Sequence, residues 1–274
     1  MNRLNINLPA RSNANYSICI GTGILEKIAQ IADISRHFKI SIITDESVAP
    51  LYLKQLQSAL KHETTDIILP PGEDEKNIEN VQEIWKTLLE NDFDRHSLVI
   101  NLGGGVICDL GGFAASTYMR GIDFLQIPTS LLAQVDAGIG GKVGINFGGI
   151  NHHTKTFDEV VKNSIGAFQQ PIGVICDINT LKTLPDREFN AGFAEIIKHG
   201  LVKDAQYFEK VTAKKPRDFS EDELIDIVTT SCNIKKAIVE EDEREKGLRK
   251  ILNFGHTIGT RSKRSHLTPP PSKE

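Results

Sequence analysis

Charged and amide side chains recur in glycine-rich stretches of this 274-residue chain, a pattern suited to a phosphorylated, polyhydroxylated ligand. Arg120 stands in MRG, Asp136 and Lys142 in VDAGIGGKVGIN, and Lys162 and Asn163 in KNSIGAFQQP. Lysine on a glycine-rich loop can meet phosphate, while carboxylates and amides can meet hydroxyls. Further on, AEIIKHG puts Glu195 and Lys198 three residues apart, on one face of a helix. Lys235 and Arg249 follow, then Asn253 and His256 in NFGHTIG. A glutamate and a histidine from separate helices make half of a zinc site, since catalysis needs at least three protein ligands. Taken singly, each of these charges is more often a solvated surface group. Their joint arrangement carries the reading.

A second set suits a nucleotide. Gly103, Gly104 and Gly105 follow the apolar run SLVIN and open a helical stretch, with Asp109 and Gly111-Gly112 beyond. Glycines let backbone N–H groups approach a diphosphate, and a helix N-terminus adds a favourable field. The spacing is not the G-x-G-x-x-G fingerprint, and a turn serving only helix–strand packing is the alternative. Asp45 closes KISIITD, where an acid binds a ribose hydroxyl or simply caps a turn. Pro71-Gly72-Glu73 with Lys76 reads as part of such a site or as an ordinary helix start.

The elements that must position these residues alternate over the first two-thirds. Strands are expected over 39–45, 65–70 and 97–105, with helices over 50–60 and 77–91, and strand then helix over 121–138. This β-α alternation predicts an α/β fold: a parallel sheet with helices on both faces, of nucleotide-binding type. From Asp186 onward strand signals nearly vanish and helices take over. The expected division is an α/β domain over 1–180, a helical domain over 181–260 and a disordered tail over 261–274, TRSKRSHLTPPPSKE without its first residue.

Composition narrows the partners. The net charge of −4 gives no electrostatic reason to expect nucleic acid or an anionic membrane. No apolar run approaches the roughly 18 residues of a membrane span. The first residues lack the apolar core of a signal peptide, and the four cysteines show no C-x-x-C spacing. A cytoplasmic protein with reduced thiols is expected.

Five ordered blocks make the resemblance specific. GGGVICDLGGFAASTYMRG, IPTSLLAQVDAGIGGKVGIN, KNSIGAFQQP, GFAEIIKHG and DEREKGLRKILNFGHTIG resemble the signature segments of 3-dehydroquinate synthases. The resemblance implies a Rossmann-like NAD domain followed by a helical domain carrying metal and substrate groups, with zinc or cobalt as the metal. It implies conversion of 3-deoxy-D-arabino-heptulosonate 7-phosphate to 3-dehydroquinate and phosphate. In that reaction NAD transiently oxidises the C5 hydroxyl, phosphate leaves by β-elimination, the hydride returns, and an intramolecular aldol closes the ring.

The resemblance places NAD contacts on Asp45, Glu73, Lys76, Gly104, Gly105, Asp109, Thr129 and Ser130, with Lys162 near the cofactor. It places metal on Glu195 and His256, and the substrate on Asp136, Lys142, Asn163, Lys198, Lys235, Arg249 and Asn253. Arg120 matches a residue that reaches the phosphate, sometimes across the interface of a homodimer. Another sugar-phosphate cyclase, of 2-deoxy-scyllo-inosose or valiolone type, is the nearest alternative. A glycerol-dehydrogenase-like enzyme and a non-catalytic NAD-binding remnant are further ones.

Three departures from the family pattern stand out. Thr260 occupies the position of a second histidine in G-H-[ST]-x-G-H that handles protons around the phosphate. The third metal histidine, in an H-G-E-x-V-like segment, has no counterpart; the later His266 has a different spacing. NHHTKTFDEVV (151–161) is an insertion between Lys142 and KNSIGAF. The abrupt change of composition in the tail suggests a broken reading frame. The expectation is a truncated catalytic part that keeps NAD binding, with metal binding and turnover severely impaired. Uncovered apolar positions are expected at Ile251, Leu252 and Ile258.

Overall fold

A computed structural model describes residues 1–8, 15–149 and 159–255. Seven strands form the main sheet: β1 (Asn2–Ile6), β2 (Tyr16–Gly21), β3 (Ile40–Asp45), β4 (Thr64–Leu69), β5 (Leu98–Gly103), β6 (Asp123–Pro128) and β9 (Gly173–Asp177). Their order is β1-β2-β9-β6-β5-β3-β4. Every neighbouring pair is parallel except β1 with β2, which adds one antiparallel edge. Helix α1 is a single turn at Ile28–Ile31; α2 (Ala49–Leu60), α3 (Ile78–Glu90) and α4 (Gly105–Thr117) are the crossovers.

Alternation along the strands fixes the two layers. In β3, Ile42 packs with α2 through Leu53 and Leu56, while Ile43 packs with α3 and α4 through Val81, Ile84 and Leu110. A strand buried on both faces must be apolar at successive positions, as it is at Ile42 and Ile43. The outer helices are set by local signals. Asn77 caps α3 by accepting from the Asn80 N–H at 2.9 Å, and Lys61 ends α2 in the left-handed conformation at φ 56°.

The chain from Asp186 is helical: α5 (Asp186–Lys203), α6 (Ala205–Thr212) and α7 (Glu221–Glu241). Ser220 and Glu223 form a reciprocal capping box at the start of α7. These helices share one apolar core with β1, β2 and β9, through Phe189, Phe193, Ile227 and Val239 against Ile18, Ile20 and Val174. The segment LRKILN makes only a 3-10 turn (Leu248–Asn253) where a longer helix is expected.

The stretch after β6 departs from expectation. A π-turn at Ala133–Ala137 replaces the regular helix expected there, and β7 (Lys142–Gly149) pairs with β8 (Glu159–Phe168) as an antiparallel hairpin where a glycine-rich loop is expected. Val143 and Ile145 are the reason. They alternate with glycine and asparagine and bury themselves with α4. Residues 159–161, the end of the expected insertion, belong to β8 and pair with 147–149; the rest of the insertion lies outside the described residues. Leu252 is buried, contrary to expectation, because the 3-10 turn folds it into the helical core; Ile251 is 38% exposed. Ile258 lies outside the described residues. No helix among the described residues is long and apolar enough to cross a membrane.

Candidate active site

Strands β3 and β5 are neighbours, yet α2 carries the chain from β3 outward to β4 while α4 carries it from β5 the other way to β6. Such a reversal opens a crevice at the carboxyl ends of the strands. A cleft of about 1400 Å³ begins there and runs across to the helical part. Asp45, Gly104, Gly105, Thr129 and Ser130 line one end, and Lys142, Asn163, Arg249 and Asn253 the other. Glu73, Lys76, Asp109, Asp136 and Lys235 line the cleft between them.

The glycine end is built for close approach. Gly104 stands at the N-cap of α4 with no side-chain cap, so the first N–H groups of a thirteen-residue helix face the cleft. A Cβ added at Gly104 would sit 3.5 Å from Ser130 Oγ, in space the glycine leaves to a ligand. Thr129 N–H donates to Gly103 O at 2.9 Å, aligning the two strand ends. Asp45 Oδ1 accepts from the Ser47 and Val48 N–H groups at 2.8 and 3.1 Å, so this acid caps its own turn as well as lining the cleft. These features fit a dinucleotide: a helix N-terminus for the diphosphate and an acid for the ribose.

The middle is a set of buried pairs. The Lys76 ammonium, 3% exposed, is held by the Asp109 carboxylate and by Asn163 Oδ1, the latter at 2.5 Å. Burial outweighs that ammonium and raises Asp109 to about 6. Asp136 rides on the π-turn, which Gln134 pins to the sheet by donating to Pro128 O, Asp177 O and Thr180 Oγ1 at 3.1–3.2 Å. Lys235, on α7, reaches the Asp136 carboxylate and also its main-chain oxygen at 2.5 Å. Burial alone would raise Asp136, but the ammoniums of Lys235 and Lys198 hold it well below the usual carboxylate range.

At the far end Lys142 pairs with Glu245 at 2.5 Å, and Asn253 Nδ2 donates to the same carboxylate at 2.9 Å. Burial pushes Glu245 up, and the Lys142 hydrogen bond overcomes it, leaving Glu245 below its ordinary value. Arg249, 1% exposed, donates to Gly140 O at 2.9 Å and Glu243 O at 2.5 Å. Gly140 has φ +86°, and a Cβ there would lie 2.6 Å from Arg249 Nη2, so only glycine fits.

Four expected residues stand apart from the cleft lining. Glu195 and Lys198 form an ion pair behind it, with Lys198 Nζ donating to Leu252 O at 2.6 Å. Arg120 is exposed at φ 69°, beyond the end of α4. Lys162 pairs with Glu73 Oε1 at 3.2 Å at the rim. His256, Thr260 and His266 lie outside the described residues. Among the described residues no three His, Cys, Asp or Glu side chains gather as a metal site, so these residues do not by themselves fit the metal.

Sequence reasoning missed Glu245, Asn146 and His199. Glu245 stands in the acidic run EEDERE, where nothing distinguishes it from solvated neighbours. Asn146 closes the GKVGIN segment, and its hydrogen bonds appear only once the hairpin is folded. His199 follows Lys198 directly; it is fully buried, and burial lowers it to about 4.

The sheet, its switch-point crevice and the helical partner define a Rossmann-like α/β nucleotide-binding architecture. A 2-deoxy-scyllo-inosose synthase solved with carbaglucose-6-phosphate, NAD+ and Co2+ shares that fold, with a TM-score of 0.84 over 97% of this chain and 71% of that one at 21% identity. A 2-epi-5-epi-valiolone synthase from Streptomyces hygroscopicus, solved with NAD+ and Zn2+, has a TM-score of 0.76 over 94% and 70% at 27% identity. Residues 66–191 match the 3-dehydroquinate synthase N-terminal family and 192–265 the 3-dehydroquinate synthase C-terminal family. The 3-dehydroquinate synthase of Ruminiclostridium cellulolyticum is 45% identical over 264 residues, 94% of this chain and 70% of the relative. The chain belongs to the 3-dehydroquinate synthase family, enzymes of the lyase class in the shikimate pathway.

Proposed function

We propose that the cleft binds NAD at its glycine end and a heptulosonate 7-phosphate at its Lys142–Arg249 end, and carries out the cyclisation that the family name describes. The observation that carries this reading is one continuous cleft with a helix N-terminus at one end and four buried or half-buried cations, Lys76, Lys142, Lys235 and Arg249, along it. Bound NAD supplies a hydride acceptor for the substrate's C5 hydroxyl and returns the hydride later, leaving no net redox change.

The chain's own groups do the rest by position. Gly104, Gly105, Thr129 and Ser130 hold the diphosphate side, with Asp45 at a ribose hydroxyl and Glu73, Lys76, Asp109 and Lys162 around the cofactor. Lys142, Arg249, Asn253 and Asn163 hold the substrate's anionic and hydroxyl groups. Asp136 stays ionised, kept so by Lys235 and Lys198, and accepts hydrogen bonds from substrate hydroxyls. Glu195 and His256 would hold the metal, one short of the three protein ligands that a catalytic metal needs. Thr260 takes the place of a proton-handling histidine, a role worth about 10²–10⁴-fold in rate, so turnover is impaired and T260H raises it. Arg120, outside its own cleft, serves the phosphate of a partner in a homodimer.

Calorimetric titration with NAD tests the cofactor half. Saturable binding of one NAD per chain is expected, abolished when the Gly104–Gly105 cradle is filled by a G104V/G105V double substitution. A chain that takes no NAD contradicts the reading.

A further inference from the structure

Asn146 is 7% exposed and does not line the cleft, yet it joins the two halves of the site. The β7–β8 register is regular from Lys142↔Phe168 to Ile145↔Ile165, then shifts between Ile145 and Phe147. Bulges of this kind re-aim a residue out of the ladder. Here the freed Asn146 N–H donates to Lys76 O at 2.8 Å. Its side chain is committed on both sides: Oδ1 accepts from the Asn163 N–H at 2.9 Å, and Nδ2 donates to Glu73 Oε1 at 3.0 Å and Glu73 O at 3.2 Å. Across the hairpin Asn163 sits at φ 52°, a left-handed conformation that costs energy and persists only when its surroundings hold it.

The bonds close a ring. Lys76 Nζ donates to Asn163 Oδ1, the Asn163 N–H to Asn146 Oδ1, and the Asn146 N–H to Lys76 O. The turn bearing Glu73 and Lys76 therefore cannot shift without moving Asn163, and the reverse holds too. We propose that Asn146 is a positioning residue that couples the cofactor turn to the substrate ligand Asn163, so that NAD and the sugar phosphate each tighten the binding of the other. This inference rests on the assignment of the two ends of the cleft made above. Coupling of this kind is reciprocal and typically about 5- to 150-fold.

The test measures NAD affinity with and without a 7-phosphonate analogue of the heptulosonate, which cannot release phosphate. In the unaltered chain the analogue tightens NAD several-fold. N146A removes both side-chain links and brings that factor toward one. N146D keeps the acceptor for Asn163 but sets a carboxylate against Glu73, giving an intermediate factor in a side chain of the same size; it decides alone if N146A does not fold. A merely structural Asn146 would lower the melting temperature and both affinities while leaving the factor unchanged, and that result overturns the inference. An unaltered chain that binds each ligand with no mutual effect also overturns it, while the proposed function stands. A chain that binds neither removes both.

Discussion

Lys235 donates to both the carboxylate and the main-chain oxygen of Asp136, tying α7 to the π-turn that lines the cleft. The pair is almost wholly enclosed on the lysine side, where the side chain is 5% exposed. Removing one member of a buried pair strands the other charge, at a cost of about 3–5 kcal/mol. K235M is therefore expected to lower stability by that order in urea unfolding, and a D136N/K235M double substitution to recover at least half. A single substitution that leaves the midpoint unmoved would show that solvent already compensates Asp136.

Lys142 and Glu245 give the opposite case. The lysine side chain is 42% exposed, so the pair contributes about 0–1 kcal/mol to stability. If Lys142 instead serves the substrate, K142M costs about 1.5–3 kcal/mol of binding, a charge-assisted hydrogen bond lost. The expected outcome is an unchanged unfolding midpoint with the affinity for the 7-phosphonate analogue down at least tenfold. Equal effects on both would deny the residue a ligand-binding role.

His199 sets a pH dependence. Burial lowers it to about 4 from 6.5, so the native chain binds its proton less readily than the unfolded chain does. The stability from its neutral form is complete above 6.5 and is lost as pH falls through about 4, on the order of 3 kcal/mol in all. Unfolding curves between pH 7 and 4 should steepen in this window, and H199Q should flatten that part of the profile. An identical profile in H199Q would assign the acid loss to other groups.

Gly104 offers a test of the cradle without a test of the fold. A Cβ there meets Ser130 Oγ at an ordinary 3.5 Å, so G104A should fold with little change in melting temperature. The same methyl occupies space next to the helix N-terminus. NAD affinity should fall by about tenfold, 1.4 kcal/mol. Unchanged affinity would place the diphosphate elsewhere.

How much of this could be read in the sequence depends on the range of the signal. The parallel strands were legible because ISIIT and LVINLG are short apolar runs buried on both faces, and Asn77 and Ser220 mark helix starts by local chemistry. The hairpin was hidden by its glycines, although Val143, Ile145 and Phe147 alternate as a strand should. Glu195 and Lys198 could be paired from spacing alone, because one helical turn brings them together. Lys235 with Asp136, and Asn146 with Glu73, lie 99 and 73 residues apart, and no local pattern announces such contacts. Glu245 is legible only from the side chains it meets, not from the acidic run that contains it.

The most direct test of the proposed chemistry follows phosphate and NADH together, with enzyme in excess over heptulosonate 7-phosphate and with NAD and zinc supplied. Phosphate released without net accumulation of NADH is the predicted result, slow in this chain and faster in T260H. NADH accumulating mole for mole with substrate, or no phosphate from a folded chain that has bound both NAD and the sugar phosphate, would contradict it.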